Sequence, residues 1–153
     1  MDFKIEVTAP EPQPALAIRT RTPVTAIGQA MGQAFGTVYQ YMLEIGAKPG
    51  ECAFSAYYNM DMNDLDVDIG FVLAEPAPGR GGIHAMQIPG GQQVSCMYKG
   101  PYNQMEAAYT VMTEWMAANG CTPTGHAYEF YYNDPSQVPP SELLTKIMFP
   151  VQG

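Results

Sequence analysis

The sequence predicts an α+β fold of two duplicated strand-helix-strand-strand modules, related by a pseudo-twofold axis, with a central ligand groove. Three observations predict it. Residues 45–59 (IGAKPGECAFSAYYN) and 119–133 (NGCTPTGHAYEFYYN) match at a constant offset of 74, pairing Gly46 with Gly120, Pro49 with Pro123, Ala53 with Ala127, and Tyr57-Tyr58-Asn59 with Tyr131-Tyr132-Asn133. Each matched stretch follows an amphipathic helical pattern and runs into strand-like sequence. A Pro/Gly-rich stretch, 74–91, separates the two halves. Repeated units of this kind pack as similar modules, and ligands favour the cleft where such modules meet. The expected organisation is one domain, 1–153, with module one about 1–75 and module two about 84–153.

In chain order, 3–7 (FKIEV) and 15–21 (ALAIRTR) read as short strands joined by APEPQP. Thr22-Pro23 opens a helix, because a proline in the first turn loses no intrahelical bond. Val24, Ile27, Met31, Phe35, Val38, Tyr39, Met42 and Ile45 recur at helical spacing, and Gly46 is the stop. Gly28, Gly32 and Gly36 form a flat stripe on that helix. Residues 53–58 and 65–73 read as a strand pair, the second alternating Leu65, Val67, Ile69 and Phe71 against Asp66, Asp68 and Gly70. A short strand is expected near Ile83 to Ile88, and another over 92–99. Gly100-Pro101 opens a second helix ending at Asn119-Gly120, with Met105, Ala108, Tyr109, Met112, Trp115 and Met116 as its apolar stripe. Strands at 125–132 and 143–149 complete the second copy.

Composition excludes several function classes. The net charge of −8, with only 7 Lys and Arg, argues against nucleic acid and anionic membranes, both of which need a basic patch. No apolar run reaches the length of a membrane span, and MDFKIEV carries no secretory h-region, so a cytoplasmic protein is expected. Cys52, Cys96 and Cys121 are odd in number and form no CxxC pair, which fits reduced thiols rather than a disulfide framework or zinc site. His84 and His126 are too few and too far apart for a metal site. Neither a metal nor another cofactor is expected. Asp61, Asp64, Asp66 and Asp68 start like a calcium loop but lack its glycine and its closing glutamate; they read as a solvated turn leading into a strand, with Asp68, on the non-apolar face of that strand, the exception.

The repeat puts Glu129 where its copy has Ser55. Alternation places Ala127, Glu129 and Tyr131 on one strand face, with Ser55 and Tyr57 on the equivalent face of the other module. A carboxylate among aromatic rings matches a lipophilic cation: the acid balances its charge and the ring faces add cation–π attraction. The candidate ligand-binding residues are Glu129, Tyr131, Tyr57, Asp68, Tyr39 and Tyr102. No nucleophile–base spacing is present, and no residue is assigned a catalytic role on that ground.

An ordered set of residues then resembles the GyrI-like effector-binding domain. Pro89-Gly90-Gly91 opens a strand, Gly100-Pro101-Tyr102 starts the helix, Tyr109 and Trp115 lie on it, and Asn119-Gly120 ends it. Glu129-Phe130-Tyr131, Asp134-Pro135 and a final strand closing at Pro150-Val151 follow. The resemblance implies a pseudo-twofold fold whose central groove binds bulky, often cationic, aromatic compounds, as in the sensing domains of multidrug-responsive regulators. It implies that Glu129 is the charge partner and that Asp68 holds an acidic position of the first module. One departure is Thr145-Lys146-Ile147, where the family shows Thr-Glu-Ile; a lysine pointing into the groove would oppose cations. No DNA-binding segment flanks the domain, so a stand-alone binder is expected.

The leading expectation is non-enzymatic binding of an amphipathic, cationic aromatic small molecule. The alternatives are a hydrolase of strained cyclopropane-type toxins using Glu129 as general base, and a protein-interaction module, such as a gyrase inhibitor or a regulator's accessory subunit, acting through a protein partner or as a homodimer. Heme binding through His84 or His126 is a weaker fourth.

Overall fold

A computed structural model describes residues 3–152. Its elements run β1 (Ile5–Thr8), β2 (Gln13–Thr22), α1 (Ile27–Ile45), β3 (Pro49–Tyr57), β4 (Leu65–Leu73), β5 (Ile83–Ile88), β6 (Gln93–Lys99), α2 (Glu106–Ala118), β7 (Thr122–Pro123), β8 (Ala127–Tyr131) and β9 (Leu144–Gln152). The class is α+β, and the pairings β1–β6, β2–β4, β2–β5, β3–β4, β6–β9, β7–β9 and β8–β9 are antiparallel. No helix among the described residues is long and apolar enough to cross a membrane.

The chain divides into two compact units: 12–89, and the stretch up to Glu11 together with the stretch from Gly90. These bounds differ from the modules read along the sequence. β1 pairs with β6 of the later unit, and β5 pairs with β2 of the earlier one. Each terminal or linker strand thus extends a sheet whose other members lie elsewhere in the chain.

In the unit spanning 12–89 the strand order is β3-β4-β2-β5, with α1 packed against β4 and β2. Leu16, Val38, Tyr41, Met42, Leu73 and Ile83 form one buried cluster. Ala34, Leu65, Val67 and Ile69 form another, with Ile27, Met31, Phe35 and Tyr57 packed on it. The helical period of α1 and the two-residue period of β4 therefore meet on one face. A short 3-10 turn, Val24–Ala26, precedes α1 after Pro23, and Gly46 ends it in the left-handed region (φ 67°). Gly28, Gly32 and Gly36 are exposed, with open space where a side chain would stand. Gly70 is required for contact: a Cβ there would lie 1.8 Å from the Leu16 carbonyl oxygen of the adjoining strand.

In the other unit the order is β1-β6-β9-β8, and β7 pairs with the end of β9. Helix α2 packs against β6 and buries Ala108, Met112 and Met116. Val94, Cys96, Tyr98 and Ile147 are buried on these strands. The helix follows a 3-10 turn over Tyr102–Gln104 that Pro101 introduces.

Candidate ligand-binding site

β8 and β9 set the site. Their register pairs Glu129 with Ile147 and Tyr131 with Thr145, so all four share one face. Phe130 and Lys146 pair on the other face, beside Tyr128. The same face holds Phe149 by alternation along β9, and α2 brings Tyr109 over it: the Tyr109 and Phe149 rings meet edge-on at 5.6 Å and 89°.

Glu129 is half-buried, and each of its carboxylate oxygens receives a tyrosine hydroxyl. Tyr131 donates to Oε1 at 2.7 Å, and Tyr109 donates to Oε2. Tyr102, 41% exposed, sits edge-on to Tyr131 at 5.8 Å and 71°. Burial pushes the Glu129 carboxyl above its ordinary value near 4.5, while the Tyr109 and Tyr131 hydroxyls pull it back. Burial also raises the Tyr102 phenol, aided by the nearby Asp134 and Glu129. The result is a carboxyl group of tunable charge inside a wall of three phenol rings and Phe149. Each oxygen keeps a further lone pair for a ligand or a water.

Three of the six candidates, Glu129, Tyr131 and Tyr102, come together here. The other three belong to the unit spanning 12–89. Tyr57 packs on the α1 side of its sheet. Tyr39 is 52% exposed on α1, its ring 6.1 Å from that of Phe71. Asp68 lies on the opposite face of β4 from Val67 and Ile69. It is buried and accepts the Tyr58 hydroxyl at 2.6 Å, and its other oxygen lies 2.6 Å from His84 Nε2. Asp68 therefore serves its own cluster, and the Arg19 guanidinium caps the Tyr58 ring at 4.4 Å. Asp66 and Asp64 of the same run are tied down as well: Arg19 grips Asp66 through two bonds of 2.9 and 2.7 Å, and Arg21 pairs with Asp64 at 2.9 Å.

One open point of the sequence is decided and one reading changes. Lys146 does not oppose Glu129; it projects from the other face, with its ammonium 5.9 Å from the Phe130 ring centre. Tyr109, read as part of an apolar helical stripe, is a donor to the site. A signal for it existed: in that stripe of Met105, Ala108, Tyr109, Met112, Trp115 and Met116, Tyr109 alone carries a hydroxyl, and a part-buried carboxyl needs donors. No group of three or more His, Cys, Asp or Glu among the described residues converges as a metal site.

The EcmrR C-terminal domain superposes with a TM-score of 0.83 at 21% identity, over 99% of each chain. In the EcmrR–DNA complex the TM-score is 0.84 at 20% identity, and this chain spans 57% of that longer chain. SAV2435 bound to tetraphenylphosphonium gives 0.64 at 10% identity, over 100% of this chain and 95% of that one. A hydrolase from Listeria innocua gives 0.69 at 13% identity, over 97% and 92%. At these identities the likeness is one of fold. A comparison with curated proteins gives no match. The family model of the GyrI-like small molecule binding domain matches residues 2–152, and the chain belongs to that family.

Proposed function

We propose that the Glu129 site binds an amphipathic aromatic cation and holds it without chemical change. The observation that carries this is the pairing of both Glu129 oxygens with tyrosine hydroxyls inside a ring-lined wall. A cation entering the wall favours the ionised carboxylate, and the rings supply quadrupole attraction and apolar area. The tyrosines keep the carboxylate oriented when no ligand is present, which lowers the ordering cost of binding. Family membership supports a small-molecule ligand, and SAV2435 with tetraphenylphosphonium supplies the probe. Tyr57 and Tyr39 remain proposed ring contacts, each to be judged by its alanine variant. Asp68, engaged by Tyr58 and His84, drops out of the proposal.

The two units are proposed as copies of one module. Support comes from pairing: Ser55 faces Ile69 in one unit as Glu129 faces Ile147 in the other. The Phe35–Phe71 ring contact at 5.6 Å also parallels Tyr109–Phe149. On that reading the acid belongs to one copy only.

The location is tested by titrating tetraphenylphosphonium and following side-chain resonances. Tyr102, Tyr109, Tyr131 and Glu129 shift together if the site is the one described; shifts elsewhere with none here contradict it. A second reading is hydrolysis of a strained cyclopropane-type toxin with Glu129 as general base. It is favoured by the upward-displaced carboxyl, which keeps lone pairs to orient a water. Turnover of such a substrate, abolished in Glu129→Gln, separates it from simple binding.

A further inference from the structure

One polar group on the Glu129 face is left over. Thr145 lies in β9 directly opposite Tyr131 and one alternation step from Ile147, the partner of Glu129. It is fully buried, and its hydroxyl has no hydrogen-bond partner among the described residues. Its neighbours on either side have hydroxyls aimed elsewhere. Tyr98, opposite it in β6, donates to the Pro101 carbonyl at 2.7 Å, and Tyr131 donates to Glu129. Folded proteins rarely leave a buried hydroxyl unmatched, and a valine would fill the same space without the desolvation cost. A hydroxyl kept in such a place calls for a partner, and the adjoining Glu129 site offers one.

We propose that Thr145 is a specificity-determining contact of the Glu129 site. It bonds a hydroxyl, carbonyl or amide substituent on the aromatic cation. Diagonal positions across an antiparallel ladder lie about 7–8 Å apart. The preferred ligand therefore carries its polar substituent about one aryl ring away from its cationic centre. This rests on the cation-binding reading and narrows it: a purely hydrocarbon cation binds through Glu129 and the rings, and a substituted one gains Thr145 as well. Because Thr145 has no solvent exposure, a covering side chain must swing aside for the contact to form.

A matched pair of probes tests it: tetraphenylphosphonium, and its analogue with one para-hydroxyphenyl ring. Affinities are measured calorimetrically for wild type, Thr145→Val and Thr145→Ser. Wild type prefers the hydroxylated probe by about five- to tenfold, the worth of one neutral hydrogen bond. Thr145→Val abolishes the preference without weakening the parent probe, and Thr145→Ser keeps it. If Thr145→Val does not fold, Thr145→Ala takes its place against Thr145→Ser. An equal preference with and without the hydroxyl at position 145, or no preference in wild type, overturns the inference and leaves the cation site standing. Failure of wild type to bind either probe overturns the cation-binding reading and this inference with it.

Discussion

Tyr109→Phe deletes one of the two hydroxyl donors to Glu129 while leaving the ring that meets Phe149 edge-on. In the native site burial raises the Glu129 carboxyl above about 4.5, and the two hydroxyls oppose that rise. Losing one of them raises the group further. A hydrogen bond to a charged group contributes about 1.5–3 kcal/mol, and the lower figure suits a half-buried carboxyl. At about 1.4 kcal/mol for each pH unit, the titration of Glu129 moves up by about one unit. A permanent cation binds the ionised form best, so the pH at which half the affinity is developed moves up equally. The assay is tetraphenylphosphonium affinity as a function of pH for wild type, Tyr109→Phe and Glu129→Gln. The Glu129 carboxyl carbon is followed by NMR in parallel. Wild-type affinity rises with pH, the Tyr109→Phe curve lies about one unit higher, and Glu129→Gln is flat. A Tyr109→Phe curve that coincides with wild type, or lies below it, refutes the reasoning.

Three further outcomes follow from the same geometry. Because the folded value of Glu129 is raised, its favourable contribution to stability is complete below pH 4.5 and is lost as pH climbs through that raised value; Glu129→Gln therefore gains stability relative to wild type on going from acid to neutral pH, read by urea midpoints. Asp68→Ala removes the buried acceptor shared by Tyr58 and His84 and costs about 3 kcal/mol, the low end for a buried pair because the His84 side chain is 43% exposed; an unchanged urea midpoint would contradict that cluster's role. Lys146→Gln changes tetraphenylphosphonium affinity by less than about twofold, since the lysine stands on the far face with Phe130; a strong gain in affinity would mean that its charge reaches the site.

The local periods made much of the fold legible. Pro23 and Gly46 bracket the first helix because proline suits a first turn and glycine the left-handed stop, and the structure adds only a 3-10 turn before α1. The alternation through 65–73 gave the strand and the burial of Leu65, Val67 and Ile69, but Asp68 and Gly70, on its other face, are buried as well. What the chain could not show was partnership. Nothing local in FKIEV says that it pairs with 93–96, or that Ile83–Ile88 pairs with Gln13–Ile18, because pairing is decided by edges available in the folded chain. The site was half legible for the same reason. Alternation put Glu129 and Tyr131 together, yet Tyr109 came from a helix whose rotation is set by packing. Lys146 was ambiguous until the register placed it opposite Phe130. In the sequence Thr145 figures only as part of Thr145-Lys146-Ile147, since an unmatched hydroxyl is visible only once its neighbours' hydroxyls are placed.

Recognition of ligand charge by Glu129 is tested most directly by titrating a cationic dye, rhodamine 6G, into wild type and Glu129→Gln at neutral pH. The predicted result is saturable binding by wild type and about thirtyfold weaker binding by the amide variant, the low end for loss of a charge partner in a half-buried site. Equal affinity in the two proteins would contradict it.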